Sequence, residues 1–380
     1  MTVPFPLTTY TARLDAVAAL LGQQHIDAAV LTPGADLRFL LASDIDTHER
    51  FSALVITPTT RRIVVPAVDA AALRTGVAGA SGVEVVPWTD GEDALALAVG
   101  DLGSDATVAV SGEMPANHLL NLQARGLSTV NATAVLRDVF MVKDTEEIAE
   151  LRRAGTAIDE VHRQVPGLLR AGRTERGVAE DLEKLILAEH VVVDFIIVGS
   201  GPHGADPHHD FSDRVIEDGD IVVIDIGGTL DSGYHSDCTR TYIVGPVDAA
   251  RDDRAEAYRV LHEAQQAGLD AAKPGITAGE LDKVVRDVID AAGYGRFYTH
   301  RTGHGIGLSG HEEPFIIAGN DLPLAEGMAF SIEPGIYIPG DWGARIEDIV
   351  VMTADGCEPV NLTTHDLVPA GAAEYRGATA

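Results

Sequence analysis

Apolar residues recur along the chain at two spacings, and the pattern changes near residue 140. Leu14, Val17, Ala18 and Leu21 recur at helical spacing within TTYTARLDAVAALLGQQ and predict an amphipathic helix. Short apolar runs predict strands in AAVLT, SALVITP, RRIVVPA, EVVPW and TVAVSG, with the second and third forming a hairpin. MPANHLLNLQARG predicts another helix. The alternation predicts a small α/β domain over residues 1–140, without a catalytic constellation of its own.

Residues 141–380 follow a different pattern, in which long helical segments alternate with apolar strands. Four helices are predicted in DTEEIAELRRAGTAIDEVHRQVPGLLRAG, TERGVAEDLEKLILAEH, AEAYRVLHEAQQAGLDAA and TAGELDKVVRDVIDAAG. Thr145 and Thr174 are expected to cap the first two, and Thr277 forms a capping box with Glu280 for the fourth. The pattern predicts an α+β domain with helices packed on a mostly antiparallel sheet. The C-terminal tail AGAAEYRGATA is expected to be loosely ordered.

Four acidic residues interrupt apolar runs that otherwise predict buried strands. Asp225 follows IVVI, Asp237 lies in DCTRTY, Glu333 follows FSI, and Glu347 lies in ARIED. Burying an unpaired carboxylate costs several kcal/mol. Because Lys and Arg number 28 against 58 Asp and Glu, bound cations explain this burial better than ion pairs do. The alternative is a set of ion-paired core acids, which is uncommon without basic neighbours.

The spacing of these acids predicts that they converge. Side chains alternate faces along a strand, so Asp237 shares a face with Thr239, and Glu347 shares a face with Arg345. Asp225 and Asp237 flank GGTLDSGYHS, whose Gly-rich sequence suits a hairpin that sets the two carboxylates side by side. Adjacent carboxylates repel each other unless a proton or a cation joins them.

Together with His304 in HRTGHGIG, the four acids could hold two metal ions. Oxygen ligands with one imidazole suit Mn, Co, Zn or Fe rather than a soft-metal site. Two such ions about 3.5–4 Å apart activate water for hydrolysis near neutral pH. The sequence therefore predicts a dinuclear hydrolytic site.

These segments together resemble the metallopeptidase family with the pita-bread fold, which includes methionine aminopeptidase, aminopeptidase P and X-Pro dipeptidase (prolidase). The resemblance covers about residues 145–370, from KDTEEIAELRRAGTAID through GSGPHGADPHH, HRTGHGIG, HEEP and IEPGIY to RIED. The family's ligands occur in the order Asp, Asp, His, Glu, Glu, and all five are present. The two Asp residues are twelve apart (237 − 225), one more than is usual, so a longer hairpin loop is expected. Residues 1–140 resemble, more weakly, the creatinase-like domain that precedes prolidases and aminopeptidases P.

The resemblance implies a role for each ligand. Asp225 is expected to chelate one metal ion, and His304 with Glu333 to hold the other. Asp237 and Glu347 are expected to bridge the two ions. Glu333 is also the candidate to take the proton of the attacking water and pass it to the leaving nitrogen.

Other residues near these motifs are assigned by the same resemblance. His208 is expected to steady the reacting carbonyl, and His311 to hydrogen-bond the substrate or intermediate. His209 is expected to be structural, and His300 to orient its loop. Arg345 could hold a ligand carboxylate or balance the acidic cluster.

The resemblance implies dinuclear, Mn- or Co-dependent hydrolysis of the X-Pro bond in short peptides, by a homodimer. The N-terminal domain is expected to help form the dimer and narrow the active-site mouth. The fourteen residues from Glu333 to Glu347 (347 − 333) favour an X-Pro dipeptidase over a long aminopeptidase P. One alternative is a non-peptide substrate, as in an ectoine-type amide hydrolase or a sulfonium-acid lyase. Another is a metal-free binding module, although such modules lose the ligands that this chain keeps.

Composition narrows the class of partner. The net charge of −30 argues against nucleic acid or an anionic membrane as a partner. Cys238 and Cys357 are the only cysteines, so a cysteine-based zinc site is excluded, and Cys238 is expected in the core. The N-terminus lacks a basic start and an apolar signal core, and no apolar run reaches the ~18 residues of a membrane span. A cytoplasmic location is therefore expected.

Overall fold

The computed structural model describes residues 3–46, 48–247 and 251–371. Two compact units result, Met1–Phe140 and Met141–Ala380. The tail expected to be loosely ordered lies outside the described residues from 372 onward. Among the helices of the described ranges, none combines the length and the apolar character that crossing a bilayer requires.

The first unit is a six-stranded sheet with helices around it. Its strands are β1 (Ala28–Leu31), β2 (Ala53–Ile56), β3 (Arg61–Pro66), β4 (Glu84–Trp88), β5 (Thr107–Val110) and β6 (Ser128–Asn131), in the spatial order β4-β3-β2-β1-β5-β6. Its helices are α1 (Leu7–Gln24), α2 (Ala35–Leu41), α3 (Ala70–Thr75), α4 (Val77–Ala80), α5 (Ala94–Val99), α6 (Ala116–Ala124) and α7 (Ala132–Phe140). The predicted β2–β3 hairpin is confirmed by its antiparallel register. The short helices α2 to α5 and α7, and strand β6, were not predicted, because their apolar periods span too few residues.

The second unit contains four long helices, as the sequence predicts. They are α8 (Thr145–Leu168), α9 (Glu175–Glu189), α10 (Asp252–Ala271) and α11 (Ala278–Ala291). Thr174 caps α9, and Thr277 forms the expected capping box with Glu280 on α11. The prediction that Thr145 caps α8 is wrong. Asp144 is the cap, because Glu147 stands three residues after it and closes the capping box.

Eleven strands form the sheets of this unit. They are β7 (Val192–Ser200), β8 (Ile221–Thr229), β9 (His235–Val244), β10 (Gly303–Gly305), β11 (Glu312–Ile316), β12 (Ala329–Ile332), β13 (Gly335–Ile338), β14 (Trp342–Arg345), β15 (Asp348–Met352), β16 (Cys357–Pro359) and β17 (Val368–Ala370). One sheet has the order β17-β9-β8-β7, a second has the order β11-β10-β12-β15-β16, and β13 pairs with β14. Apart from the β17–β9 pair, all neighbours are antiparallel, which confirms the α+β prediction.

Each larger sheet buries one face against a pair of helices. Ile224, Ile226 and Cys238 lie in the core beneath α8 and α9, as predicted for Cys238. Phe330 and Ile332 lie in the core beneath α10 and α11. Because side chains alternate along a strand, the residues between these apolar positions point to the faces away from the helices. The acidic residues of the candidate site occupy those alternate positions.

Candidate metal centre

The first two acids lie on the β8–β9 hairpin. Asp225 pairs with Thr239, and Gly227 pairs with Asp237, so the two acids are diagonal neighbours on one face. Ile224 and Ile226 face the helices, and Asp225 between them therefore faces the other way. The loop 230–234 is closed by a hydrogen bond from Leu230 N to Tyr234 O of 2.9 Å. The predicted hairpin brings the carboxylates together, in diagonal rather than directly opposed positions.

The two glutamates lie just beyond the ends of strands. In the β12–β15 pair, Ile332 is opposite Asp348, which is the last pair before the chain leaves the ladder. Glu333 and Glu347 continue that register by one position on either side. Glu333 N donates to Thr302 O (2.8 Å), and Glu347 N donates to Thr239 O (3.1 Å). The expectation that these acids interrupt strands is therefore corrected: they follow and precede the strands.

His304 occupies the centre of β10 and points toward the acids. Its neighbours Gly303 and Gly305 pair with Ile316 and Phe330 of the helix-packed core, so His304 faces the opposite side. His304 Nε2 lies 3.6 Å from Asp237 Oδ2 and 3.4 Å from Glu333 Oε1. The His304 N–H donates to Ser331 Oγ (2.9 Å), which in turn donates to Glu333 Oε1 (3.1 Å).

The five residues predicted as ligands come together in this structure. Their possible ligand atoms form overlapping groups in which all atoms lie within 4.8 Å of one another. The groups are Asp225, Asp237 and Glu347; His304, Glu333 and Glu347; and Asp237, His304 and His311. Asp237 and Glu347 each belong to two groups, which is the arrangement that bridging ligands require. His311, expected beside the ligands, lies in one group as a further nitrogen donor.

Arg345 is the basic residue closest to these acids in the bonding network. Its Nη2 lies 2.5 Å from Asp225 Oδ2, and its Nε donates to Thr239 Oγ1 (3.0 Å). Thr239 Oγ1 donates to Glu347 Oε2 (2.7 Å), so one hydroxyl links Arg345 and Glu347. The charge of Arg345 thus balances one of the four acids. The reasoning that the acids have few basic neighbours holds for the other three.

Burial changes the protonation of the cluster in the metal-free protein. Burial raises the pKa of Asp237 and of Glu347 well above their usual values, and the neighbouring carboxylates raise both further. Burial also raises the pKa of Glu333 to about 7. Asp225 Oδ1 is buried and accepts no hydrogen bond from any described residue. An orphaned oxygen beside crowded carboxylates fits a donor set for divalent cations.

Both non-ligand histidines predicted at the site have exposed side chains. His311 lies with its ring centroid 4.0 Å from that of His304, in an edge-on arrangement. His208 lies on the loop after β7, and its imidazole makes no hydrogen bond to the described residues. The preceding carbonyl, of Pro207, accepts a hydrogen bond from Arg345 Nη1 (3.4 Å), which brings the loop to the cluster.

Glu175 anchors the loop that carries His208, and sequence reasoning missed this residue. Its buried carboxylate accepts hydrogen bonds from both N–H and hydroxyl groups of Ser200 and Ser212, and contacts His203 and His209. Burial raises its pKa, but these hydrogen bonds outweigh burial and lower the pKa to about 2. Glu175, His203 and His209 could also group around a metal ion, but the carboxylate is already saturated with donors. His209 is thus held structurally, as expected.

Tyr337 and His300 extend the network behind Arg345. The Tyr337 hydroxyl accepts a hydrogen bond from Arg345 Nη1 and lies 2.8 Å from His300 Nε2. Burial lowers the pKa of His300 to about 4, so its imidazole is neutral at pH 7. Tyr337 is buried, and it connects a loop histidine to the arginine that binds Asp225.

Glu333 gives the metal-free protein a pH-dependent stability. Its folded-state pKa of about 7 exceeds the ordinary 4.5, so the folded state binds more protons between those values. Stability contributed at this position therefore falls as pH rises through the window. We expect the free energy of unfolding of the wild type, minus that of Glu333→Gln, to fall by roughly 1–3 kcal/mol between pH 4.5 and 7.5. Urea denaturation of both chelator-treated proteins measures this difference, and a pH-independent difference contradicts the assignment.

The chain has two family matches that together span most of its length. Residues 149–354 match "Metallopeptidase family M24", and residues 13–142 match "Creatinase/Prolidase N-terminal domain". The probable dipeptidase PepE of Mycobacterium tuberculosis is 50% identical over 368 residues, covering 96% of this chain and 97% of that protein. The Xaa-Pro dipeptidase of Lactobacillus helveticus is 35% identical over 375 residues, covering 93% and 98%.

Solved structures agree with these matches. Dipeptidase PepE from Mycobacterium ulcerans superposes with a TM-score of 0.92 at 51% identity, covering 96% of this chain and 99% of that one. The prolidase from Pyrococcus furiosus superposes with a TM-score of 0.80 at 29% identity, covering 91% and 99%. The predicted resemblance is confirmed: this chain belongs to the metallopeptidase family M24, with a creatinase/prolidase N-terminal domain, and is a metal-dependent hydrolase.

Proposed function

We propose that the protein hydrolyses the X-Pro bond of short peptides with two divalent metal ions. The observation that carries the proposal is the convergence of four carboxylates and one imidazole into groups whose atoms lie within 4.8 Å. Relatives named Xaa-Pro dipeptidase and dipeptidase cover more than nine-tenths of the chain, and they support the substrate class. Nothing in the site or among these relatives favours the non-peptide alternatives.

Five residues would hold the metal ions in this proposal. Asp225 would ligate one ion, His304 and Glu333 the other, and Asp237 and Glu347 both. The orphaned oxygen of Asp225 and the raised pKa values of the other acids support this division. When bound, the ions supply positive charge that activates water and polarises the scissile carbonyl near neutral pH.

The remaining chemistry falls to side chains of the protein. Glu333 can take a proton from water at a carboxylate oxygen and deliver it to the proline nitrogen, as the leaving amide needs one. His208 and His311, both exposed, can donate hydrogen bonds to the carbonyl oxygen as negative charge develops there. Arg345 fixes the orientation of Asp225 through its ion pair. These four residues divide proton transfer, oxyanion binding and ligand positioning.

Proline specificity is chemically reasonable at such a site. The X-Pro amide has no N–H, and proline restricts the residue before it, so ordinary peptidases bind this bond poorly. A site that recognises the carbonyl, and not an amide N–H, has no such requirement. The proposal therefore predicts discrimination between dipeptides that differ only in their second residue.

The substrate prediction is tested by three peptides with the Mn-loaded protein. We expect Ala-Pro to be cleaved at least roughly tenfold faster than Ala-Ala, because a pocket shaped for the ring is worth 1–3 kcal/mol. We also expect Ala-Pro to be cleaved faster than a longer X-Pro peptide. Equal rates on the first pair would remove the proline claim. Faster cleavage of the longer peptide moves the assignment to an aminopeptidase P.

Three finer points belong to the same proposal. Manganese or cobalt is the proposed native metal, since oxygen-rich sites with one imidazole suit both. A homodimer assembled with the help of the N-terminal domain is the proposed state. A cytoplasmic location is proposed as well, and the free Cys238 and Cys357 are compatible with a reducing compartment. Metal analysis, light scattering and cell fractionation of the native enzyme test these points separately.

A further inference from the structure

Arg301 lies on the face of the sheet that carries the metal ligands. Thr302 N donates to Ile316 O (2.9 Å), so the segment before β10 runs beside β11. Ile316 belongs to the helix-packed core, and Phe315 therefore points to the opposite face, the one that His304 occupies. The guanidinium carbon of Arg301 lies 4.9 Å from the Phe315 ring centroid. Arg301 is thus stacked on an aromatic ring at the edge of the metal centre.

The guanidinium of Arg301 has no anionic partner in the described part of the chain. It is half-buried, and it makes neither a hydrogen bond nor an ion pair there. Other arginines of this domain with little exposure pair with acids: Arg240 with Asp348, Arg286 with Asp282, and Arg345 with Asp225. In a protein with 58 acidic and 28 basic residues, an unpaired guanidinium beside a catalytic centre is available to an anionic ligand.

The position of Arg301 is fixed from both sides. His300 Nδ1 lies 2.7 Å from the Arg301 carbonyl oxygen, and Thr302 Oγ1 donates to the buried Asp282 (2.8 Å). After burial, the charge of Arg301 is the largest cause of the lowered pKa of His311. The guanidinium is therefore close enough to act on a substrate that His311 contacts.

We propose that Arg301 binds the C-terminal carboxylate of a dipeptide substrate, with Phe315 holding the guanidinium in place. In a dipeptide, the carboxylate lies one residue, about 3.8 Å along the chain, beyond the scissile bond. Arginine presents two parallel N–H donors that match a carboxylate. A longer peptide has a neutral amide at that point and loses this pair. The inference rests on the proposed X-Pro dipeptidase function and gives its length preference a residue.

The test compares Ala-Pro with Ala-Pro-amide, which lacks the carboxylate. For Arg301→Gln we expect kcat/KM on Ala-Pro to fall roughly 10- to 100-fold, mainly through KM, because a charged hydrogen-bonded pair is lost. The amide should change by less than about threefold, and Arg301→Lys should restore part of the activity on Ala-Pro. Arg296→Gln is the matched control, since Arg296 stacks on Phe297 at 4.5 Å and is exposed. This control should leave both substrates unaffected.

A measurement on the wild type needs no variant. Free proline should inhibit Ala-Pro hydrolysis more strongly than prolinamide, and Arg301→Gln should abolish that difference. Equal losses on the acid and the amide in Arg301→Gln would show a structural role and overturn the proposal. So would an unchanged preference for the acid. If the wild type cleaves neither substrate, the proposed function fails; if it cleaves both equally well, only the carboxylate subsite fails.

Discussion

Substitution of Asp237 or Glu347 by alanine is expected to abolish peptidase activity, with kcat/KM falling by roughly 10³-fold or more. Each side chain contributes to two of the groups that could hold a metal ion, so its loss unbalances both positions. Loss of a negative ligand also leaves the remaining acids without a shared cation. Both variants should therefore bind less than two divalent ions per chain, as metal analysis after dialysis would measure.

The neighbouring residue Asp348 supplies a matched control for Glu347. Asp348 is also buried, but its carboxylate accepts from Arg240 Nη2 (2.7 Å) and lies 2.7 Å from His365 Nε2. Asp348→Asn should lower the free energy of unfolding by roughly 1–3 kcal/mol and keep both metal ions. Glu347→Gln should lose metal and activity. An Asp348→Asn variant that loses metal as completely as Glu347→Gln would refute the assignment of separate roles.

Chelation tests the same site without a substitution. Treatment of the wild type with a chelator should abolish activity, and Mn or Co should restore it. Added metal should not restore Asp237→Ala, because the bridging oxygen is gone. Full activity in a preparation from which metal analysis detects no metal would sink the dinuclear assignment.

Local sequence patterns predict the parts of the site that depend on a single strand or hairpin. The aliphatic run before Asp225 and the alternation after Asp237 determine which face each carboxylate occupies, and the structure agrees. The capping box at Thr277 is likewise local. The misplaced cap at Thr145 shows the limit of this reasoning, because Asp144 and Thr145 both suit an N-cap. Only the reciprocal bond with Glu147 distinguishes them.

Contacts between distant segments account for what the sequence does not predict. Arg345 meets Asp225 across 120 positions, and Glu175 meets Ser212 across 37. Glu175 stands at the first position of a helix, where an acid ordinarily complements the helix dipole, so nothing local marks it as a loop anchor. Arg301 likewise gives no local signal, because its significance is the lack of a partner. Such features depend on how the two sheets meet.

His208→Ala is expected to lower kcat by roughly 10²–10³-fold while metal content and thermal stability stay unchanged. The side chain is exposed and makes no hydrogen bond within the described residues, so the fold does not depend on it. Its loop is held against Arg345 through the Pro207 carbonyl, which positions the imidazole beside the cluster. An uncharged or protonated imidazole that donates to the developing oxyanion acts mainly in the transition state, and kcat is the parameter that reports it.

The adjacent His209 separates catalysis from loop structure. His209 Nε2 lies 3.0 Å from the buried Glu175 carboxylate, so His209→Ala removes a donor from the loop anchor. That variant should lower the melting temperature, because the Glu175 carboxylate loses a hydrogen bond. Its kcat should fall less than that of His208→Ala. Unchanged kcat in His208→Ala excludes an oxyanion role for this residue and leaves His311 as the donor. Loss of metal from His208→Ala would instead place His208 among the ligands, which contradicts the division of roles proposed for the site.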